Sequence, residues 1–123
     1  MKFLISMHIN PGVMDALTDV EKAAIGEGHG RFLETVKESG ELITTQALVD
    51  PSQAVVVSVR GGQPVVTDGP FLEAKEYLGG FYFIDCESKE RAIELASQIP
   101  DAAIHGLGVE VRQVMFVEGN LDP

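Results

Sequence analysis

The first segment of the chain alternates between apolar and mixed side chains, as an extended strand does when one of its sides is covered. One side is fully apolar and the other is mixed: Phe3, Ile5 and Met7 against Leu4, Ser6 and His8. Asn10, Pro11 and Gly12 follow and are turn-forming residues. The pattern therefore predicts a first strand over residues 2–8.

A helical spacing follows this strand. A capping box of Thr18 and Glu21 starts the predicted helix, and Gly40 ends it. Its apolar stripe, on which His29 also lies, consists of Ile25, Phe32, Leu33 and Val36. Gly26, Gly28 and Gly30 each weaken the helix by roughly 1 kcal/mol. Such a cost is tolerated where a backbone must come close to another element.

A second helix is predicted between Ser88, which caps its start, and Pro100, which stops it. Its inner stripe consists of Ala92, Ile93, Leu95, Ala96 and Ile99. Further strands are predicted at residues 42–49, 54–60, 80–86 and 109–117. The order is β-α-β-β-α-β, with a hairpin arm over residues 61–66 inserted before the strand at 80–86. This is an α+β fold of the ferredoxin-like type.

Both helices must cover one face of the sheet, so the second face needs an explanation. The alternation assigns Val55, Val57 and Val59 to the helix side, together with the apolar side of the first strand. It assigns Tyr82, Glu110 and Arg112 to the mixed side, together with His8. A mixed face with large apolar groups does not stay bare in water. We therefore expect a symmetric homodimer that packs these faces together and leaves a small-molecule cavity between them.

Composition and charge narrow the class of protein. The 123 residues suit a single domain over 1–123, and 45% apolar residues suffice for one core. The formal net charge of −10 disfavours binding to nucleic acid or to an anionic membrane surface. A single cysteine, Cys86, fits a reducing compartment, and no apolar run approaches the ~20 residues of a membrane span. The N-terminus is too short for a signal peptide, so we expect a cytoplasmic protein.

The stretch from Val66 to Gly80 is the most tightly specified part of the chain. Its Asp68-Gly69-Pro70 turn has an aspartate that can accept backbone hydrogen bonds and a proline suited to a first helical position. Phe71 follows at once and is expected to pack into the core or the dimer seam. The turn leaves one carboxylate, that of Asp68, at the edge of whatever the strands enclose.

These residues resemble the DGPF-type branch of the YCII-related (YciI-like) proteins. The likeness rests on Thr67-Asp68-Gly69-Pro70-Phe71, Glu73, Lys75-Glu76, Gly79-Gly80 and Val109-Glu110-Val111-Arg112. The resemblance covers nearly the whole chain. It implies a ferredoxin-like subunit that pairs into a dimeric α+β barrel, and a biochemical role that is mostly unassigned. It also implies a His–Asp pair in a cleft, from which family members are often taken to be enzymes.

The family pattern places a histidine eleven residues before the glycine that ends the first helix, and His29 matches it. Asp68 is the candidate partner, although the inserted arm separates this chain from simpler members. As a pair they would carry out proton transfer, with the carboxylate orienting the imidazole. The structural alternatives are a core histidine bonded to a backbone carbonyl and an aspartate that only caps its turn.

The remaining candidates have two interpretations each. His8 is either a pocket residue or a rim hydrogen bonder, and Glu110 with Arg112 is either an interface ion pair or, through Arg112, an anchor for a carboxylate ligand. Tyr82 would help to hold an anionic or phenolic ligand. Neither the three histidines nor the isolated cysteine has metal-ligand spacing, so no metal and no cofactor are expected.

Two functions follow from these residues. The first is a small pocket-bearing dimer with lyase- or isomerase-like proton transfer, in which His29 is the acid/base and Asp68 orients it. The second is a non-catalytic module that binds a ligand or a protein, with a regulatory role. The residues specify neither the substrate, nor the reaction, nor a partner protein. The partners that they predict are a second copy of the chain and a small-molecule ligand.

Overall fold

The computed structural model describes residues 1–70 and 75–119. It is an α+β fold with antiparallel sheets and three α-helices. The strands are β1 (Lys2–Ile9), β2 (Leu42–Ala47), β3 (Val55–Arg60), β4 (Gln63–Asp68), β5 (Tyr77–Asp85) and β6 (Gly108–Gln113). The helices are α1 (Pro11–Ala16), α2 (Asp19–Glu38) and α3 (Lys89–Ala96), with 3₁₀ turns at Pro51–Gln53 and Pro100–Ala103.

Four of the strands form one sheet in the order β2-β5-β1-β6, with every neighbouring pair antiparallel. This order, with helices between β1 and β2 and between β5 and β6, is compatible with the predicted ferredoxin-like arrangement. Among the described strands, β3 and β4 pair with each other alone and form a separate two-stranded sheet. The inserted arm therefore spans residues 55–68, which is longer than the predicted 61–66.

The start and end of α2 follow the sequence closely. Thr18 and Glu21 form a complete capping box, in which each side chain accepts a hydrogen bond from the other residue's backbone N–H. Gly40 follows the helix with φ +78°, a conformation that glycine adopts without strain. The short helix α1 was not predicted. Asn10 caps it by accepting a hydrogen bond from the Gly12 N–H, so these residues start a helix as well as ending β1.

The core lies between the four-stranded sheet and the helices. Its fully buried side chains come from β1, α2, β5 and the α3 region, and the largest are Phe3, Ile5, Ile84, Leu95, Ile99 and Val36. Four of the five residues predicted for the α3 stripe are buried, whereas Ile93 is 51% exposed and was wrongly included. Cys86 is buried, and burial raises the pKa of its thiol.

The predicted helix-side position of the third-strand valines is wrong. Val55, Val57 and Val59 are 55%, 61% and 69% exposed, because β3 belongs to the arm and no helix within residues 1–70 and 75–119 covers it. Alternation shows which side chains share a face of a strand, but it does not show which face is covered. These three valines, together with Pro64 and Val66 opposite them, form the arm stripe, an exposed apolar surface of the hairpin.

Several strand ends also differ from the prediction. The strand β2 ends at Ala47, β6 ends at Gln113, and β5 begins three residues before Gly80. Gly80 pairs with Ala47 at the end of β2, where a glycine is needed because a Cβ would lie 2.6 Å from the Gln46 carbonyl oxygen. In the described residues no helix is long and apolar enough to cross a membrane.

The Asp-Gly-Pro turn closes the arm. Gly69 takes a positive φ of +88°, and its N–H donates a 2.7 Å hydrogen bond to the carbonyl oxygen of Ala54. Asp68 is the last residue of β4 and is exposed. Phe71 and Glu73 of the motif lie outside the described residues.

Candidate functional site

His29 lies near the middle of α2, on the side of the helix that faces the sheet. Its side chain is about a quarter exposed. Across from it is Tyr82 of β5, which is buried and pairs in register with Ile5 of β1. Tyr82 was predicted for the mixed face and instead lies on the helix side. There the Phe32 ring packs edge-on against the Tyr82 ring, with the ring centroids 4.7 Å apart.

Both ring nitrogens of His29 have a polar partner. Nδ1 lies 2.6 Å from the hydroxyl oxygen of Tyr82, and Nε2 lies 2.7 Å from Oδ1 of Asp101. An ionised carboxylate can only accept, so Nε2 carries the proton that is donated to Asp101. In the neutral ring Nδ1 then accepts, and the Tyr82 hydroxyl donates to it. The three side chains form one hydrogen-bonded chain, the Tyr82–His29–Asp101 chain.

Asp101 is held by the 3₁₀ turn that begins at Pro100, directly after the α3 region. The residue is only 3% exposed. The turn approaches α2 at Gly28, where a Cβ would lie 2.9 Å from the Pro100 side chain. Because Gly28 has no side chain, the turn can come close enough for the Asp101 carboxylate to contact His29. This close packing explains why a glycine is present there although it weakens the helix.

Burial and charge act together on Tyr82. Burial of the phenol, followed by the nearby negative charge of Asp101, raises the pKa of Tyr82 to about 12. The His29 and Tyr82 rings lie nearly parallel, with centroids 5.9 Å apart. Tyr82 is therefore a neutral hydroxyl at ordinary pH, able to donate to His29 and to accept from a second group.

This chain lines a cavity of about 480 Å³. The cavity lies between α2, the end of β2 and the start of β5, and most of its other walls are apolar: Met7, Ile9, Met14, Ile25, Ala47, Leu48 and Val49. An apolar cavity with a few converging polar groups is the usual composition of a small-molecule site. The volume also falls within the ~300–1,000 Å³ range of such sites.

A larger cavity of about 910 Å³ lies between α1, the first half of α2 and the loop at His105. Its polar residues include Asn10 and Glu21, whose side chains are already engaged in capping α1 and α2. It holds no pair of polar side chains bonded to each other as His29 and Asp101 are. We therefore place the candidate site in the smaller cavity.

The aspartate that contacts His29 is Asp101, and the suggested partner Asp68 is elsewhere. Asp68 lies on the arm and does not line the His29 cavity. The sequence motif drew attention to Asp68 because it sits in a conspicuous turn. The one local signal for Asp101 is that it is an acidic residue among apolar ones, directly after the Pro100 that stops the predicted helix.

The other candidates lie on the opposite face of the sheet. Glu110 pairs with Ser6 and Arg112 with Leu4, as their assignment to the mixed face predicted. The Arg112 guanidinium bonds to the Glu110 carboxylate, and its side chain is 74% exposed. His8 lines a shallow cavity of about 330 Å³ with Glu110. The structure thus brings His8 and Glu110 together, but separates them from His29.

No group of three His, Cys, Asp or Glu side chains converges in the way a metal ion needs, within residues 1–70 and 75–119. The expectation of no metal and no cofactor remains a prediction. Tyr82, His29 and Asp101 are linked by hydrogen bonds within this cavity, and groups of these types can transfer protons and donate or accept hydrogen bonds.

Comparisons with known proteins agree with the family resemblance that the sequence motifs indicate. The family model described as the YCII-related domain matches residues 1–117. An uncharacterised protein of Rhizobium meliloti (strain 1021) is 39% identical over 85 residues, which are 68% of each chain. The narrower assignment to the DGPF-type branch remains a prediction. The match over residues 1–117 shows that this chain belongs to the YCII-related family.

Proposed function

We propose that the protein transforms a small phenolic or enolic molecule by proton transfer through the Tyr82–His29–Asp101 chain, as an isomerase or lyase does. The observation that supports this best is the position of His29. Its two ring nitrogens are bonded at 2.6 and 2.7 Å to a tyrosine and a buried carboxylate, and all three residues line one cavity. A carboxylate that orients an imidazole is a recurrent acid/base arrangement.

The route of the proton follows from the hydrogen bonds. A ligand hydroxyl that donates to the Tyr82 oxygen gives up its proton as the Tyr82 proton moves to Nδ1 of His29. The imidazolium that forms lies beside the Asp101 carboxylate, which stabilises it. Return of a proton along the same chain to a different atom of the ligand completes an isomerisation, and loss of a leaving group completes an elimination. Tyrosinate does not accumulate, consistent with the raised pKa of Tyr82.

The test is a screen of small cyclic enol and phenol substrates with the wild type and three variants, His29→Gln, Tyr82→Phe and Asp101→Asn. We expect loss of at least about 100-fold in kcat for His29→Gln, since general acid–base catalysis contributes about 10²–10⁴-fold. Asp68→Asn is the matched control and should retain activity. Turnover that survives all three site variants would contradict the mechanism.

A second candidate is a non-catalytic ligand-binding or protein-interaction module, with a regulatory role. It is favoured by the completeness of the hydrogen bonding, since both His29 nitrogens are already bonded and Asp101 is buried. Such a network also stabilises a fold without doing chemistry. This function predicts that a metabolite raises the melting temperature and is recovered unchanged after prolonged incubation with the protein.

We further propose that the chain forms a homodimer through the mixed face of the four-stranded sheet, as a dimeric α+β barrel. The support is the half-buried apolar and aromatic surface of that face, which includes Leu4, Phe81 and Phe83. Light scattering at micromolar concentration should give twice the mass of one chain, and a monomer would contradict the proposal.

The single cysteine, Cys86, is buried and unpaired, which supports a cytoplasmic location.

A further inference from the structure

We propose that the His29 site selects an uncharged, elongated molecule, with a hydroxyl at one end and an apolar tail at the other, and that it rejects anions. This inference rests on the proposed function for its location, but it concerns the class of ligand and not the reaction. It revises the expectation of an anionic ligand held by Arg112.

The charges around the cavity are all of one sign. Asp50 and Asp101 line it, and no lysine or arginine does so within the described part of the chain. The residues outside that part, 71–74 and 120–123, include no lysine or arginine either. A ligand carboxylate or phosphate would therefore leave water without gaining a cation, in a chain of net charge −10.

Arg112, the predicted anchor for an anion, cannot fill this role within the chain. It lies on the mixed face of the sheet, whereas His29 and Tyr82 lie on the helix side. Its guanidinium is also already bonded to Glu110, which neutralises its charge locally. An anion in the cavity would have neither a salt bridge nor the attraction of a nearby free cation.

The hydrogen-bonding direction at Tyr82 also favours an uncharged ligand. Its one hydroxyl proton is donated to Nδ1 of His29, so its oxygen is left as an acceptor. A ligand hydroxyl can donate to that oxygen, but a carboxylate has no proton to donate. The same oxygen would repel a carboxylate oxygen placed at hydrogen-bond distance.

The elongated shape comes from a second chamber beside the first. A cavity of about 480 Å³ lies between the base of the arm and the start of β5. It shares Leu48, Val49, Asp50 and Tyr77 with the His29 cavity, so the two chambers are adjacent, and an elongated ligand would occupy both. Its further walls are mainly apolar, namely Pro51, Ala54, Val55, Val56, Pro70 and Leu78. Among the described residues, the charged ones that line it are the acids Asp50 and Glu76.

The two chambers thus differ in the chemical groups that line them. The first provides the polar atoms of the Tyr82–His29–Asp101 chain, and the second provides apolar surface for a tail. A para-alkylated phenol has this shape and polarity: its hydroxyl would lie at Tyr82, its ring in the first chamber and its alkyl chain in the second. Each tail methylene that leaves water should tighten binding by about fourfold.

Three probe ligands distinguish the effect of the ligand's charge from that of its tail length: 4-butylphenol, 4-butylbenzoate and 4-methylphenol. Each is titrated at pH 7 into the full-length protein while the NMR signals of the His29 and Tyr82 rings are followed. We expect 4-butylphenol to bind at least about tenfold more tightly than 4-butylbenzoate. It should bind about 60-fold more tightly than 4-methylphenol, because its tail is three methylenes longer. Both phenols should shift the two ring signals.

A charge-reversal variant sharpens the test. Asp50→Lys places a cation where both chambers meet and should narrow the preference for the phenol over the benzoate by several-fold. Glu118→Lys makes the same charge change at an exposed position outside both chambers and should leave the preference unchanged.

Three results would overturn the inference: equal or tighter binding of the benzoate, no gain from the longer tail, or no response of the two ring signals to any probe. Failure of the proposed reaction is a separate outcome. A protein that shows the predicted binding preference but turns over no phenol or enol keeps the ligand class and loses the proton-transfer function.

Discussion

The four-stranded sheet and the arm are built from similar residues and have opposite environments. In β5, Tyr82 and Ile84 are buried against β1 and the helices, whereas in β3 Val57 and Val59 point into solvent. Both strands are rich in residues that favour extended structure. The difference is that α2 and α3 cover the first sheet, and no helix of the described chain covers the second.

The same contrast separates two aspartates. Asp101 is brought by its 3₁₀ turn to the covered sheet, where it contacts His29, while Asp68 ends an exposed strand of the arm. A carboxylate gains a defined partner and a low-dielectric environment only in the first position. The carboxylate that contacts His29 therefore lies at the covered face of the sheet and not in the conspicuous Asp-Gly-Pro turn.

The largest expected difference between the regions is in side-chain packing. Ile84→Ala removes a fully buried side chain and should lower the free energy of unfolding by about 2–5 kcal/mol. Val57→Ala, on the arm stripe, should change it by less than about 0.5 kcal/mol, because that side chain is already largely solvated. Chemical denaturation measures both. A cost above about 1 kcal/mol at Val57 would show that a second copy or another partner covers the arm.

Two glycines test how closely the elements of the covered region approach. Gly80→Ala forces a Cβ against the Gln46 carbonyl and should destabilise the protein by about 1–3 kcal/mol. Gly26→Ala is the matched control, because nothing lies within 4 Å of its Cβ position, and it should stabilise α2 by about 0.5–1 kcal/mol. Thermal unfolding distinguishes the two signs. Equal effects would contradict the tight pairing of β2 with β5.

The two aspartates provide a third comparison. Asp101→Asn replaces the buried acceptor of the His29 hydrogen bond and should cost about 1–3 kcal/mol of stability. Asp68→Asn makes the same chemical change at an exposed position and should cost less than about 0.5 kcal/mol. Urea unfolding curves measure both variants. A larger loss of stability for Asp68→Asn than for Asp101→Asn would support Asp68, and not Asp101, as the partner of His29.

The smallest effect is a pH dependence at the edge of the core. Arg91 of α3 bonds to both carboxylate oxygens of Glu41, at 3.0 and 2.8 Å, and holds the pKa of Glu41 below its usual value. A lowered folded-state pKa adds stability above the unfolded pKa of about 4.3, and this is lost as the pH falls. The stability difference between wild type and Glu41→Gln should therefore shrink from pH 6 to pH 3. A constant difference would contradict the ion pair.

Local features of the fold could be predicted from the sequence because their causes are local. The capping box of Thr18 with Glu21 and the end of α2 at Gly40 depend on a few neighbouring residues. The side of β6 that carries Glu110 and Arg112 was also predicted correctly, since polar and apolar residues alternate there.

The site itself depends on contacts that the sequence does not specify locally. Asp101 and His29 are 72 residues apart, and the tertiary packing that brings them together includes the close approach of Pro100 to Gly28. Tyr82 was assigned to the wrong face because both sides of β5 carry large apolar groups, so alternation there gives no preference. The arm was misplaced for a related reason, since its valines follow a pattern equally suited to a core strand.

The hydrogen-bonding state of the His29 ring is the most direct test of the central claim, that Tyr82, His29 and Asp101 form one polar chain. Two-bond ¹H–¹⁵N correlation NMR of the neutral ring reports which nitrogen carries the proton. We predict a single tautomer protonated at Nε2, with slowed exchange of that proton, and loss of this preference in Asp101→Asn. A ring protonated at Nδ1, or one that averages between tautomers in the wild type, would contradict the account.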